Sequence, residues 1–164
     1  MDAYKAITTK RDRREYEARP LPEESVRRIL QAARMAGSGS NRQPLRYIAI
    51  RDKAVVEALA PSGRGTTPLR QAPLAVAIIA TAGGAGGFDV GRAAQNMMVA
   101  AWSEGIISCP QGLQDQEVAR KALGFPEDHT LAMAIAFGYP EPGSPKGRGQ
   151  ARLPFEEIVH WYRW

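Results

Sequence analysis

Four short stretches of this chain carry side chains that could do chemistry, and two of them are dominated by cations. KRDRREY, Lys10 to Tyr16, gathers Lys10, Arg11, Arg13 and Arg14 around Asp12. Guanidinium forks bind phosphate through paired hydrogen bonds, so a phosphate grip is one reading and a solvated charged connector is the other. SGSNRQP, Ser38 to Pro44, offers Ser38, Ser40, Asn41 and Gln43. Amides and hydroxyls in that density suit a planar, hydrogen-bonding ring, and they also suit an ordinary helix-to-strand loop. SCPQGLQD, Ser108 to Asp115, sets Gln111 and Gly112 between a strand and a helix, where glycine lets the backbone come close to a ligand. PKGRGQARLP supplies Lys146, Arg148 and Arg152, either a second phosphate grip or a basic tail.

The familiar catalytic patterns are missing. GGAGG has the spacing of neither a dinucleotide fingerprint nor a phosphate-binding P-loop and reads as a linker. His129 and His160 stand far apart without metal-ligand spacing, and Ser62 and Ser103 lack a nucleophile-elbow context. Asp12, Glu15 and Glu17 have no evident acid/base partner, so salt bridging is expected of them. The single cysteine, Cys109, excludes an internal disulfide and reads as a small buried apolar residue.

Helices and strands must hold these stretches. Asp2 to Thr9 is a short helical candidate. Pro22 at a first helical position, with Glu23 and Glu24 near the positive end of the dipole, starts a helix. Val26, Ile29, Leu30, Ala33 and Ala36 recur along it at spacings of three and four, and Gly37 is placed to cap it. Tyr47 to Ile50 is a short strand, and Asp52 caps a helix over Lys53 to Ala60. PSGRGTTP reads as a loop, and LAVAIIA as a strand covered on both faces. A long helix, VGRAAQNMMVAAWSEG, is expected from Asp89 to near Gly105, with apolar residues on more than one side that anticipate deep burial, including burial between subunits. Ile106 to Cys109 is a brief strand, Asp115 to Leu123 a helix closed by Gly124, and Thr130 to Phe137 a third strong strand. Gly138 to Pro154 lacks periodicity, and PFEEIVHWYRW is a last turn or helix. Strands separated by helices make a three-layer α/β or α+β domain.

A chain of 164 residues suits one domain, and 44% hydrophobic with 24% charged residues is an ordinary globular composition. The longest apolar run, Ala72 to Ala82, is short of the roughly 20 residues that span a bilayer, and Met1 to Lys10 does not resemble a signal peptide. A cytoplasmic protein is expected. Net charge +5 permits an anionic partner, a phosphorylated cofactor or nucleic acid, without choosing between them.

Taken in order, these segments resemble the FMN-dependent nitroreductase family. The resemblance rests on the basic element Lys10–Tyr16, on AARMAGSGSNRQP followed by LRYIAI, on DVGRAAQNMMVAAWSEG with GIISCPQG behind it, and on GYP with LPFEEIVHW near the end. It implies an α+β, three-layer α/β/α fold with a central mixed sheet flanked by helices and a long helix forming an interface. It implies one FMN-binding domain over residues 1–164, its tail from about 139 packing on a partner subunit of a homodimer. Lys10, Arg11, Asp12 and Arg14 are similar to the family's N-terminal phosphate and flavin contacts, with Arg14 near N1 and the C2 carbonyl. Ser38, Ser40, Asn41 and Gln43 are similar to the loop along the flavin ring that comes from the partner. Gln111 and Gly112 fall where backbone donors approach flavin N5, and either Lys146 with Arg148 or Arg148 with Arg152 completes the phosphate site. The implied activity is hydride transfer from NAD(P)H through FMN to a small acceptor such as a nitroaromatic or quinone, with no catalytic side chain of its own. Asp12 stands where many members have serine and needs a cation, Arg11 or Arg13, to neutralise it. Leu45 replaces a frequent tryptophan, and the chain is short for the family. A flavin-fragmenting or deazaflavin-linked relative and a non-catalytic flavin carrier remain alternatives. So does a basic nucleic-acid-binding domain, although the arginines are not interleaved with aromatics.

Overall fold

A computed structural model describes residues 1–84, 86–145 and 151–164. The element order is α1 (Ala3–Thr9), α2 (Glu23–Arg34), β1 (Leu45–Ile50), α3 (Lys53–Leu59), α4 (Thr67–Gln71), β2 (Leu74–Ala80), α5 (Gly87–Ser103), β3 (Ile107–Gln111), α6 (Gln116–Leu123), β4 (Thr130–Gly138) and α7 (Phe155–Ile158). The strands form one sheet in the order β1-β2-β4-β3, and every neighbouring pair is antiparallel. The expected mixed character reduces, among the described residues, to a single parallel bridge between Asp12 and Ser108 at the β3 edge.

Strand β2 explains the layering. All seven of its residues are buried, and successive side chains on a strand point to opposite faces. Ala75, Ala77 and Ile79 join Ala134 and Ala136 of β4 in one core with Val56 and Leu59 of α3, Leu69 of α4 and Ala119 of α6. Leu74, Val76 and Ile78 join Ile135 and Phe137 in a second core with α2 and the Ala94–Met97–Met98–Ala101 stripe of α5. Helices therefore lie on both faces of the sheet, as LAVAIIA anticipated. The long helix α5 buries one stripe only: Gly91, Arg92, Gln95 and Asn96 stay open on its other side.

Local chemistry sets most boundaries. Asp2, Asp52 and Asp115 each cap a helix by accepting a backbone N–H, and Gly124 ends α6 in the left-handed conformation. Strand β1 starts at Leu45 and not at Tyr47, and β3 spans Ile107–Gln111 and not Ile106–Cys109, so it takes in Gln111. Three helical boundaries also differ from the sequence reading. Helix α2 stops at Arg34, with Met35 rather than Gly37 as its C-cap. Helix α5 begins at Gly87, so Asp89 sits in its first turn, buried, instead of capping it. The stretch read wholly as a loop contains a 3-10 turn, Ala60–Ser62, and then the short α4, in which a proline occupies the start of the helix. At the far end of α5, Glu104 accepts from the Ser25 hydroxyl at 2.7 Å and pairs with Arg28 at 2.8 Å, tying α2 to α5.

Gly138, the last residue of β4, is enclosed by backbone-anchored neighbours. A Cβ there would lie 2.8 Å from both Pro73 Cδ and the Tyr16 ring. Neither can swing away, because Tyr16 is 8% exposed and donates its hydroxyl to the Arg13 carbonyl at 3.1 Å. Gly138→Ala is expected to lower unfolding free energy by about 1–3 kcal/mol through overpacking, read as a shift in the urea midpoint with an unchanged slope.

Candidate functional site

The basic segment hangs on the open edge of β3. Asp12 bridges Ser108, and the Arg13 N–H donates to the Ser108 carbonyl at 3.1 Å. This fixes where its side chains go, and they go to different places. The Lys10 ammonium contacts the Asp12 carboxylate and lies 3.3 Å from Met98 Sδ, with a side chain only 9% exposed. Asp12 is thus neutralised by Lys10, not by Arg11 or Arg13. Arg11 donates to the Thr8 and Lys10 carbonyls at 3.0 and 2.8 Å. Arg13 turns away to donate to the carbonyls of Ser144, at 2.9 Å, and Pro145, at 3.2 Å. Arg14 is exposed and has no hydrogen bond or ion pair among the described residues. Lys10, Arg11 and Asp12 line an open cleft of about 430 Å³ together with Gln95, Met98 and, from the far end of the chain, Arg152. Lys146 and Arg148 lie outside the described residues.

Behind this segment sits Cys109, 1% exposed. Burial pushes its thiol pKa upward, and the nearby Arg14 guanidinium only partly opposes that, so the sulfur stays neutral at ordinary pH. Burial likewise drives the Tyr16 phenol above its ordinary range. Gln111 spends its side-chain amide internally, donating to the Pro110 carbonyl at 2.9 Å and to Cys109 Sγ at 3.2 Å. What this turn has to offer a ligand is therefore the backbone around exposed Gly112. The Ser108 hydroxyl is buried without a hydrogen-bond partner among the described residues, beside Asp12.

The SGSNRQP loop is strained. Ser40, Asn41 and Gln43 have φ of 50°, 53° and 51°, although none is glycine. Left-handed backbone costs of order 1–3 kcal/mol at such residues and persists only where the surroundings impose it. Ser38 imposes part of it: its hydroxyl accepts from the Gln43 N–H at 2.8 Å and its carbonyl accepts from the Asn41 N–H at 3.0 Å. The side chains of Ser40, Asn41 and Gln43 consequently project outward, exposed. Ser38 and Gln43 line a small cavity of about 210 Å³ with Arg34, Tyr47 and Asp89.

One chain does not unite these parts. Asp89 marks the loop end of α5 and Met98 the basic end, nine residues or about 14 Å apart along the axis. Between them runs the open face that carries Arg92, Gln95 and Asn96, with Phe88 77% exposed. The sequence reading missed Gln95 and Met98 as lining residues of the basic cleft. Their spacing of three on one helix, next to a basic segment, was the available signal.

Comparison with known proteins places this geometry. The family model described as "Nitroreductase family" matches residues 7–85 and 69–139. The chain is 28% identical over 200 residues to an NADH dehydrogenase of Thermus thermophilus, covering 98% of this chain and 96% of that protein. A Methanothermobacter thermautotrophicus protein, provisionally named an NADH dehydrogenase/NAD(P)H nitroreductase, is 30% identical over 173 residues, covering 100% of this chain and 88% of its own. Among solved structures, an FMN-dependent nitroreductase from Clostridium difficile superposes with TM-score 0.86 at 23% identity, covering 98% and 99% of the two chains. An FMN and NADPH-dependent nitroreductase from Sphigopyxis sp. strain HMH gives TM-score 0.86 at 20% identity over 100% of both. The two-layered helical cover, the antiparallel sheet and the family match agree, and the chain belongs to the nitroreductase family of oxidoreductases.

Proposed function

We propose that the protein is an FMN-dependent NAD(P)H oxidoreductase that acts as a homodimer. The observation that carries this reading is the basic cleft, where Lys10, Arg11 and Arg152 surround a space open to solvent and large enough for a phosphorylated tail. A ring moiety fits the rest: the Gly112 backbone is exposed at one place and a strained loop presents Ser40, Asn41 and Gln43 at another. When bound, FMN supplies hydride acceptance from NAD(P)H and electron delivery to a small acceptor such as a nitroaromatic or a quinone.

The chain's own residues position and screen. Lys10 and Arg11 hold the phosphate, helped by Arg152 from the C-terminal segment. Asp12 keeps Lys10 in place from the side. Arg14, without a partner among the described residues, supplies positive charge toward the ring, where it favours added negative charge. The separation along α5 supports the homodimer, in which the loop of one copy would reach the basic cleft of the other. The exposed Phe155, Ile158, Trp161 and Trp164 of the tail favour the same arrangement, since apolar side chains of that size gathered over ten residues ask for a covering surface.

Purified protein supplied with FMN is expected to turn yellow and to bleach anaerobically when NADH or NADPH is added; a colourless protein would sink the reading. Arg14→Ala should weaken FMN binding about tenfold or more in a fluorescence-quenching titration. Its thermal midpoint should stay near that of the parent, because an exposed surface side chain contributes within about 0.5 kcal/mol to folding. Ser40→Gly is expected to act in the opposite sense on the two readouts. Removing the left-handed strain should raise stability or leave it level, by up to about 1 kcal/mol, while FMN affinity falls as the outward geometry of the loop relaxes.

A further inference from the structure

The loop between the 3-10 turn and α4 is pinned against the Gln111–Gly112 turn more tightly than a connector requires. The Ser62 carbonyl accepts from the N–H groups of Gln114 and Asp115, at 2.8 and 2.9 Å. Gly63 forms an antiparallel bridge with Leu113. A Cβ on Gly63 would lie 2.6 Å from the Gly112 carbonyl oxygen, so only glycine permits this approach. On the other side, the Thr66 hydroxyl donates to the Ala60 carbonyl at 3.1 Å and closes the loop on itself. Between these anchors, one Cα step of about 3.8 Å beyond Gly63, stands Arg64.

Arg64 is exposed and makes no hydrogen bond or ion pair among the described residues. Its neighbours on the surface are otherwise engaged: Arg70 pairs with Glu57 at 2.8 Å and donates to the Thr66 hydroxyl at 2.8 Å, and Lys53 donates to the Arg70 and Ala72 carbonyls. A rigidly mounted loop holding an uncommitted guanidinium beside an exposed backbone turn is a poor investment for stability. It is well suited to catching an anion that docks over that turn.

We propose that Arg64 is a specificity-determining residue that selects substrates carrying an anionic group, carboxylate or phosphate, as they dock over the Gln111–Gly112 turn. This rests on the reading that FMN lies against that turn. Two substrates could supply the anion: an acceptor bearing a carboxylate, or the reductant through the additional phosphate that distinguishes NADPH from NADH. The guanidinium fork accepts either chemistry, and uncharged acceptors gain nothing from it.

The test uses the full-length, FMN-loaded protein and its Arg64→Ala and Arg64→Lys variants. Each is titrated with 4-nitrobenzoate and with the neutral isostere 4-nitrobenzamide, following the flavin absorbance, and each is reduced anaerobically with NADPH and with NADH. The parent is expected to favour the charged member of at least one pair by about fivefold at low salt, the upper end for a solvent-exposed ion pair. Arg64→Ala should abolish that preference, Arg64→Lys should keep part of it, and added salt should erode it in the parent alone. A preference in the nitrobenzoate pair assigns the anion to the acceptor, and one in the nucleotide pair assigns it to the reductant. Equal preferences in the parent and Arg64→Ala, with FMN bound and reducible in both, overturn the assignment of Arg64 alone. Failure of the parent to bind FMN overturns the underlying reading and this assignment with it.

Discussion

Strand β2 has no face that tolerates water, and the architecture follows from that. With side chains alternating across the strand and all seven residues buried, two helical layers are required, one per face. The two faces are not equivalent. Ala75 and Ala77, with Ala134 and Ala136 beside them, give one face a shallow profile that Leu59, Leu69 and Val56 fill from the helices. Val76, Ile78, Ile135 and Phe137 give the other its bulk, and there α5 answers with Ala94, Met97 and Ala101. The side chains of the proposed site are arranged around the rim of this slab: the basic segment on the β3 edge, the strained loop before β1, and the Gly112 turn after β3.

Positioning at the rim is done with backbone bonds. The basic segment is held by the Ser108 carbonyl, by the Tyr16 hydroxyl on the Arg13 carbonyl and by Arg13 itself, which acts as a clasp on Ser144 and Pro145. Because Arg13 is spent in this way, Lys10 and Arg11 can be presented to the cleft from a fixed base. The same division of labour recurs at β3, where the Gln111 amide is consumed in fixing its own turn and leaves the main chain of Gly112 exposed. Rigidity of this kind is what a site needs if the chemistry belongs to a bound cofactor and the protein contributes placement and field.

Much of this was legible in the sequence, for identifiable reasons. Val26, Ile29 and Ala33 recur with the helical period, and LAVAIIA has no polar residue to place, so α2 and β2 could hardly be misread. Asp115 and Gly124 bracket α6 because caps are local chemistry. The short α4 was hidden because Gly63, Gly65 and Pro68 fall within a few residues, and a single helical turn produces no period. The strain in SGSNRQP was equally hidden: the stretch read as a polar loop behind a Gly37 cap, and nothing in its composition singled out Ser40, Asn41 and Gln43 as the left-handed residues. That choice is imposed by Ser38 and by the strand beyond Pro44, which is tertiary information. The partner of Asp12 could not be read from spacing, since Lys10, Arg11 and Arg13 are all within reach of it in the chain and only the course of the backbone past Ser108 selects Lys10.

The distribution of positive charge argues the function more sharply than its total. A nucleic-acid surface keeps its arginines free along one face so that each can meet a phosphate. Here Arg27 and Arg51 pair with Glu23, Arg28 with Glu104 and Arg70 with Glu57. Arg13 and Arg46 are turned onto main-chain carbonyls. Among the described residues the uncommitted guanidiniums include Arg14, Arg64 and Arg152, which stand respectively beside Cys109, beside the Gly112 turn and in the basic cleft. Net charge +5 is thus what remains after this pairing, and some of the unpaired cations border the proposed site. That pattern fits recognition of small anions, one phosphate or carboxylate at a time.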